Sequence, residues 1–261
     1  MRVAVIQMDI AIGDPARNRK HALGLMREAV QAENKPDTIL LPEMWNTGYA
    51  LEQIGDIADA FGEPTRSIMS EFAAAHHVNV IAGSVSDRTE SGVKNTIFAF
   101  DRQGEPIGQY SKLHLFRLMD EDKYLVQGDK IACCELDGSS AGLMICYDIR
   151  FPELARRLAL NGAKALFVPA EWPKPRLHHW RTLLQARAIE NQMYVVACNR
   201  VGTSRGTEFF GHSMVISPWG EVLAEGGEQE EIVAAELDLA EVDQVRDNIP
   251  VFKDRRTELY T

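Results

Sequence analysis

The segment AGLMICYDIRFPE, residues 141–153, places the strongest constraint on this chain. A short apolar run ends at Cys146. Pro152 then opens a stretch with Leu154, Ala155, Leu158 and Ala159 spaced along one face of a helix. Cys146 is therefore expected at a strand-to-helix turn. Backbone N–H groups at a helix N-terminus favour a thiolate over a thiol, and the carboxyl end of a strand faces the crevice where open α/β sheets bind ligands. The competing reading is a cysteine buried as a small apolar side chain. Two more polar residues in comparable places move the balance toward chemistry.

Along the chain, apolar strands alternate with amphipathic helices. Strands are expected at residues 2–8, 38–41, 78–84, 95–101 and 106–112, and helices at 15–33 and from about 64 to 77. Gln103 and Gly104 supply a hairpin turn. Residues 113–130 are mixed and charged and read as loop. After the central strand and helix, ended by Gly162, come the strand LFVPAEW and a helix over 178–192 with Leu183, Leu184, Ala188 and Ile189 inward. The strand YVVACNRVG, the hairpin SMVISP/VLAE turning at Trp219 and Gly220, a strand over 231–237 and a short helix through Arg246 complete the pattern. The alternation indicates an α/β domain covering residues 1–261, with 248–261 as a polar C-terminal arm.

The chain carries 38 acidic against 28 basic residues, a net charge of −10, with no basic stripe, so nucleic acid and anionic membrane are poor partners. No apolar run approaches the ~20 residues of a membrane span. The opening MRVAVIQMDI is broken by Gln7 and Asp9 and reads as a first strand rather than a signal peptide. Cys133, Cys134, Cys146 and Cys198 have the spacing of neither a disulfide framework nor a zinc site, which points to a reducing cytoplasm.

Three groups that are costly to bury stand at strand ends: Glu43 after TILL, Lys112 at the end of GQYSK, and Cys146 after AGLMI. Singly, each is more readily read as a solvated loop residue. Together they are a base, a cation and a nucleophile. Sulfur attacking an amide carbonyl must lose a proton, the oxygen gains negative charge, and the leaving nitrogen must gain a proton. Glu43, Lys112 and the backbone N–H of Tyr147 can meet those needs. His114 is an alternative base, two residues from Lys112, but with no orienting partner evident in the sequence. The pairs His76/His77 and His178/His179 diverge on a helix and do not suggest a metal site.

The blocks LLPEMWNTGY, YSKLHLF, GLMICYDIRFPE, ALFVPAEWP, ARAIENQMYVVACNRVG and GHSMVISPWGEVL, in this order, resemble the nitrilase superfamily of carbon–nitrogen hydrolases from first strand to last. The resemblance implies a four-layer α-β-β-α sandwich and a homodimer joined through helices, with the C-terminal arm often crossing to the partner. It implies roles as well: Glu43 as general base and then acid, Lys112 as oxyanion stabiliser, Cys146 as nucleophile forming a thioester. A second glutamate follows the lysine in this family, and Glu121 matches it. No metal or organic cofactor is implied.

The segment AEWPKPRLHHWRTLLQARAIENQ looks most like the omega-amidase branch, which hydrolyses the terminal amide of 2-oxo dicarboxylic acid monoamides such as 2-oxoglutaramate. Such a substrate carries a carboxylate. Arg117, Arg176 and His178 are the candidate cations for it, Tyr49 a candidate donor and Trp172 a candidate wall. Hydrolysis of N-carbamoyl amides, aliphatic amides or nitriles would use the same triad. A non-catalytic scaffold and a thiol transferase built on His114 are the readings from other classes.

Overall fold

The computed structural model describes residues 1–259; Tyr260 and Thr261, the tip of the expected arm, lie outside the described residues. Two mixed sheets are packed face to face. In the first, strands run in the order Glu231–Glu236, Arg2–Gln7, Thr38–Leu40, Asn79–Ile81, Gly92–Phe100, Val85–Thr89, Asp59–Ala60, with Pro106–Ser111 also paired to Gly92–Phe100. In the second the order is Val222–Glu225, Met214–Ile216, Tyr194–Asn199, Ala165–Ala170, Ser139–Leu143, Cys133–Leu136.

Helices Pro15–Gln31 and Thr65–His76 cover the outer face of the first sheet. Ala22, Met26, Met69 and Phe72 pack there against Ile6, Ile39 and Val80. Helices Pro152–Leu160 and Leu177–Asn191 cover the second sheet with Leu154, Leu158, Trp180, Leu184 and Ala188. Between the sheets, Val3, Val5, Leu40 and Ile97 meet Leu143, Leu166 and Phe167 in one continuous core. The result is the expected four-layer sandwich. Its strands Ala165–Ala170 and Tyr194–Asn199 are buried at every residue, which is why they read as unbroken apolar runs rather than alternating ones.

The structure departs from the sequence expectations in several places. Ile189, expected inward, is 54% exposed, and Trp180 fills the core side of that helix instead. The strand expected over 78–84 closes after Asn79–Ile81, because the chain turns at Gly83 with φ +57°. Residues 113–130 are not all loop: they hold a 3-10 turn, Arg117–Met119, and one helical turn, Glu121–Tyr124. A hairpin of Val201–Ser204 with Thr207–Phe210 was hidden in what reads as the tail of one strand. The arm is held down by Phe252, whose ring lies 5.0 Å from the Arg156 guanidinium and 5.1 Å from that of Arg246. Among the described residues no helix is long and apolar enough to cross a membrane.

Gly83 matters because it seats the end of the Thr38–Leu40 strand. A Cβ there would stand 2.1 Å from the Pro42 carbonyl oxygen, one residue before Glu43. Gly83→Ala is expected to lower stability by roughly 1–3 kcal/mol through backbone strain and to displace the Glu43 loop; urea unfolding measures the first effect. Unchanged stability would mean that the turn relaxes freely.

Candidate active site

Glu43, Lys112, Cys146, Glu171 and Arg200 each follow the carboxyl end of a strand, and the two sheets bring these ends to one side of the sandwich. Cys146 begins a 3-10 turn, Cys146–Arg150, that leads into the helix Pro152–Leu160. Its φ of +44° is uncommon for a residue with a side chain. Strain of this kind persists where the surrounding structure over-determines it. Asp148 supplies part of that determination: its carboxylate accepts from Ile145 N at 3.0 Å, His114 N at 3.1 Å and Tyr110 Oη at 2.7 Å. Met44, beside Glu43, has a similar φ of +42°.

Lys112 is the centre of the cluster. Its Nζ donates to Glu43 Oε1 at 2.8 Å and Glu121 Oε1 at 2.7 Å, and all three side chains are 0% exposed. Glu43 Oε1 also accepts from Tyr49 Oη and Asn95 Nδ2, both at 2.8 Å, and Oε2 accepts from Glu171 N at 2.7 Å. Glu121 Oε2 accepts from Phe116 N at 3.0 Å, and its Oε1 lies 2.6 Å from Tyr49 Oη. The expected second glutamate is thus in contact with the lysine, and Tyr49 bridges both carboxylates.

Burial alone would lift the Glu43 carboxyl, but the Lys112 charge and the hydrogen bonds from Lys112, Glu171 and Tyr49 outweigh it and hold Glu43 below its ordinary value. For Glu121, burial and the Glu43 charge outweigh Lys112, and the carboxyl is raised. A phenol has one proton to donate. Tyr49 therefore donates to only one of its two carboxylate neighbours at a time. Lys112 remains an ammonium: burial lowers it, and the charges of Glu121 and Glu43 push it well above its ordinary value.

Burial, followed by the Glu43 charge, pushes the Cys146 thiol well up, with Lys112 opposing. Desolvation and a neighbouring carboxylate thus outweigh the gain toward thiolate from a helix N-terminus. Glu43 stands beside the thiol, so the group that keeps it neutral is also the group placed to take its proton.

A narrow cleft adjoins this cluster, lined by Tyr49, Glu121, Cys146 and Tyr147 together with Phe116, Arg150, Trp172 and Arg176. Arg176 and Trp172 are where they were expected. Arg117 and His178 are not: both are exposed and outside the cleft, Arg117 on the solvent side of its 3-10 turn and His178 turned toward Thr182. His114 also stays out of the cleft. Contrary to the sequence reading it does have an orienting partner, since its Nδ1 lies 2.7 Å from Asp148 Oδ1 and its ring stacks 3.5 Å from that of Phe151.

Sequence reasoning missed Arg150, Asn95 and the Glu171 carboxyl. Arg150 had a readable signal, because it lies one short turn beyond Cys146 in the same motif. Its guanidinium stands 4.7 Å from the Trp172 ring centre, while that of Arg176 stands 5.4 Å from Phe116. Glu171, like Glu43, is a polar residue at the end of a buried strand.

The sequence profile described as "Carbon-nitrogen hydrolase" matches residues 2–247. The chain belongs to that family. This carbon–nitrogen hydrolase is 48% identical over 259 residues to the 2-oxoglutaramate amidase of Bacillus subtilis, covering 99% of this chain and 98% of the relative. It is 33% identical to the bovine (Bos taurus) omega-amidase NIT2, covering 99% and 96%. Among solved structures, a CN-hydrolase superfamily protein of Xanthomonas campestris, with an arsenic adduct in its active site, superposes with a TM-score of 0.90 at 32% identity, covering 98% of this chain and 97% of the other. These neighbours place the hydrolase in the nitrilase superfamily.

Burial, and then the Glu43 charge, push the Glu171 carboxyl up to about 7 from an ordinary 4.5, with Arg200 opposing. Above pH 7 it is ionised in both the folded and unfolded chain, and the fold bears the cost. Between about 7 and 4.5 the folded state takes up a proton that the unfolded state does not, so this group's contribution to stability rises as pH falls. Urea unfolding from pH 8 to pH 5 should show wild type gaining stability relative to Glu171→Gln; a constant difference would show that the carboxyl titrates alike in both states.

Proposed function

We propose that this hydrolase releases ammonia from a small, linear, carboxylate-bearing amide, with 2-oxoglutaramate or 2-oxosuccinamate as the substrate class, through a thioester on Cys146. The observation that carries the reading is a buried ammonium held between two glutamates beside a thiol, next to a cleft whose lining includes two arginines. Among the described residues neither Arg150 nor Arg176 has a carboxylate within 4.0 Å, so both lack the acidic partner that arginines at the edge of a fold usually find. A protein of net charge −10 that reserves two cations for one cleft is suited to an anionic ligand. The likeness to a 2-oxoglutaramate amidase along the full chain supports the same class.

The geometry supports the following steps. Glu43 takes the thiol proton as sulfur attacks the amide carbon, and Lys112 with the Tyr147 N–H receives the developing oxyanion. The C–N bond then breaks, the proton on Glu43 passes to nitrogen, and ammonia leaves. Water, deprotonated by the same carboxylate, attacks the thioester; the C–S bond breaks, the thiol regains its proton and the carboxylic acid departs. Glu121 and Tyr49 hold Lys112 and Glu43 in register throughout.

A panel of 2-oxoglutaramate, glutamine, carbamoyl amino acids, aliphatic amides and nitriles, followed by ammonia release with Cys146→Ala as blank, tests the assignment. Turnover is expected to be highest with 2-oxoglutaramate. Glu43→Gln and Lys112→Met should each reduce kcat by about 10²–10⁴-fold, whereas His114→Asn should keep most of it; the opposite ranking would move the base role to histidine.

The arginines are tested separately. Arg150→Met or Arg176→Met should raise KM for 2-oxoglutaramate at least about tenfold, the size of one lost charge-assisted pair, while changing KM for a neutral amide little. Equal effects on both substrates would mean that neither arginine reads the carboxylate.

A further inference from the structure

Glu171 is a buried carboxylate that the mechanism above does not use. Its side chain is 0% exposed, its Oε2 accepts from Arg200 Nη1 at 3.0 Å, and its Oε1 has no hydrogen-bond partner. Arg200, itself fully buried, also donates to Asp9 Oδ1 at 2.7 Å, to Ile10 O at 3.0 Å and to Val201 O at 3.0 Å. The guanidinium is therefore fixed from three other directions, and it fixes one oxygen of Glu171 while leaving the second open. The same residue lines the cleft with Cys146 and Tyr147. Leaving a buried acceptor unmade costs roughly 1–3 kcal/mol, so an orphan in this place calls for a partner that arrives later.

The acceptor count around the cleft identifies the chemistry of that partner. A carboxylate has about four acceptor positions. Glu43 receives four hydrogen bonds, from Tyr49, Asn95, Lys112 and Glu171 N, besides its contact with the thiol. Glu121 has contacts with Tyr49, Lys112 and Phe116 N. A primary amide enters with a carbonyl oxygen, which the oxyanion donors take, and with two N–H groups that lose water in the cleft. The acceptors already in the cluster are nearly filled. Two buried side-chain acceptors nearby have no partner, Asn95 Oδ1 and Glu171 Oε1, and of these two residues only Glu171 lines the cleft.

Resting on the amidase reading, we propose that Glu171 is a specificity-determining residue whose free Oε1 accepts a hydrogen bond from the NH₂ of the substrate amide. It thereby selects a primary amide over an ester of the same acid. Glutamine at this position would turn its carboxamide oxygen to Arg200 and its own NH₂ to the cleft, setting donor against donor. An ester has no N–H to lose and is indifferent to the exchange.

The test compares 2-oxoglutaramate with the 5-methyl ester of 2-oxoglutarate in wild type, Glu171→Gln and Glu171→Asp. The aspartate variant keeps the charge opposite Arg200 and withdraws the oxygen by one methylene, so it stands in should the glutamine variant fail to fold. The amide is expected to lose at least about tenfold in kcat/KM in either variant, the usual size of one lost hydrogen bond to a charged group. The ester should lose no more than about threefold, within ordinary scatter for a near-neutral change. A parallel loss on both substrates would make Glu171 a mere support for the Glu43 loop, and no loss on either would leave its oxygen without a role; each result overturns the inference while leaving the amidase reading intact. Wild type inactive on the amide would overturn both.

Discussion

The ammonium of Lys112 between Glu43 and Glu121 is the interaction on which the rest of the site depends. None of the three side chains touches solvent. Taking such ions out of water costs several kcal/mol each, and only close mutual attraction with filled hydrogen bonds offsets it. The structure supplies both. Tyr49, Asn95 and two backbone N–H groups close the remaining oxygens, and the two carboxylates are pushed in opposite directions, Glu43 down and Glu121 up. That divergence makes Glu43 the more acidic and Glu121 the more basic of the two.

The two-sheet architecture explains why the cluster can be assembled from residues so far apart in the chain. Glu43 and Lys112 come from strands of the first sheet and Cys146 and Glu171 from strands of the second, so the facing of the sheets is itself what closes the site. The inter-sheet core of Val5, Leu40, Leu143 and Phe167 therefore positions catalytic atoms as well as stabilising the fold. A shift of one sheet over the other would separate Glu43 from Cys146 before any residue of the cluster had changed.

Much of this was legible in the sequence, for a physical reason. Buried parallel strands are continuous apolar runs, and a charged residue at the end of one is conspicuous. That signal marked the ends at Glu43 and Cys146, whereas Lys112 ends a polar antiparallel strand, Pro106–Ser111, and stood out only as a cation at a strand end; the family resemblance added Glu121. What escaped was decided by direction rather than spacing. Arg117 and Arg176 are equally basic loop residues, yet one faces solvent and the other faces the cleft, and only the folded turn separates them. Arg150 lay unread inside the best motif because an arginine after a nucleophile has no periodicity of its own. Asp148 beside His114 and the hairpin after Asn199 depend on contacts between distant segments, which pattern does not record.

Cys146 is only 6% exposed and is held as a neutral thiol. Peroxide and bulky electrophiles react with accessible thiolates, the first requirement on the path from thiol to sulfenic acid. A sulfur kept protonated and screened is a poor target for either. In the mechanism proposed above, its nucleophilicity is withheld until a carbonyl carbon is within reach and Glu43 can relieve it of the proton, so the same arrangement would also protect the sulfur from oxidative damage between turnovers.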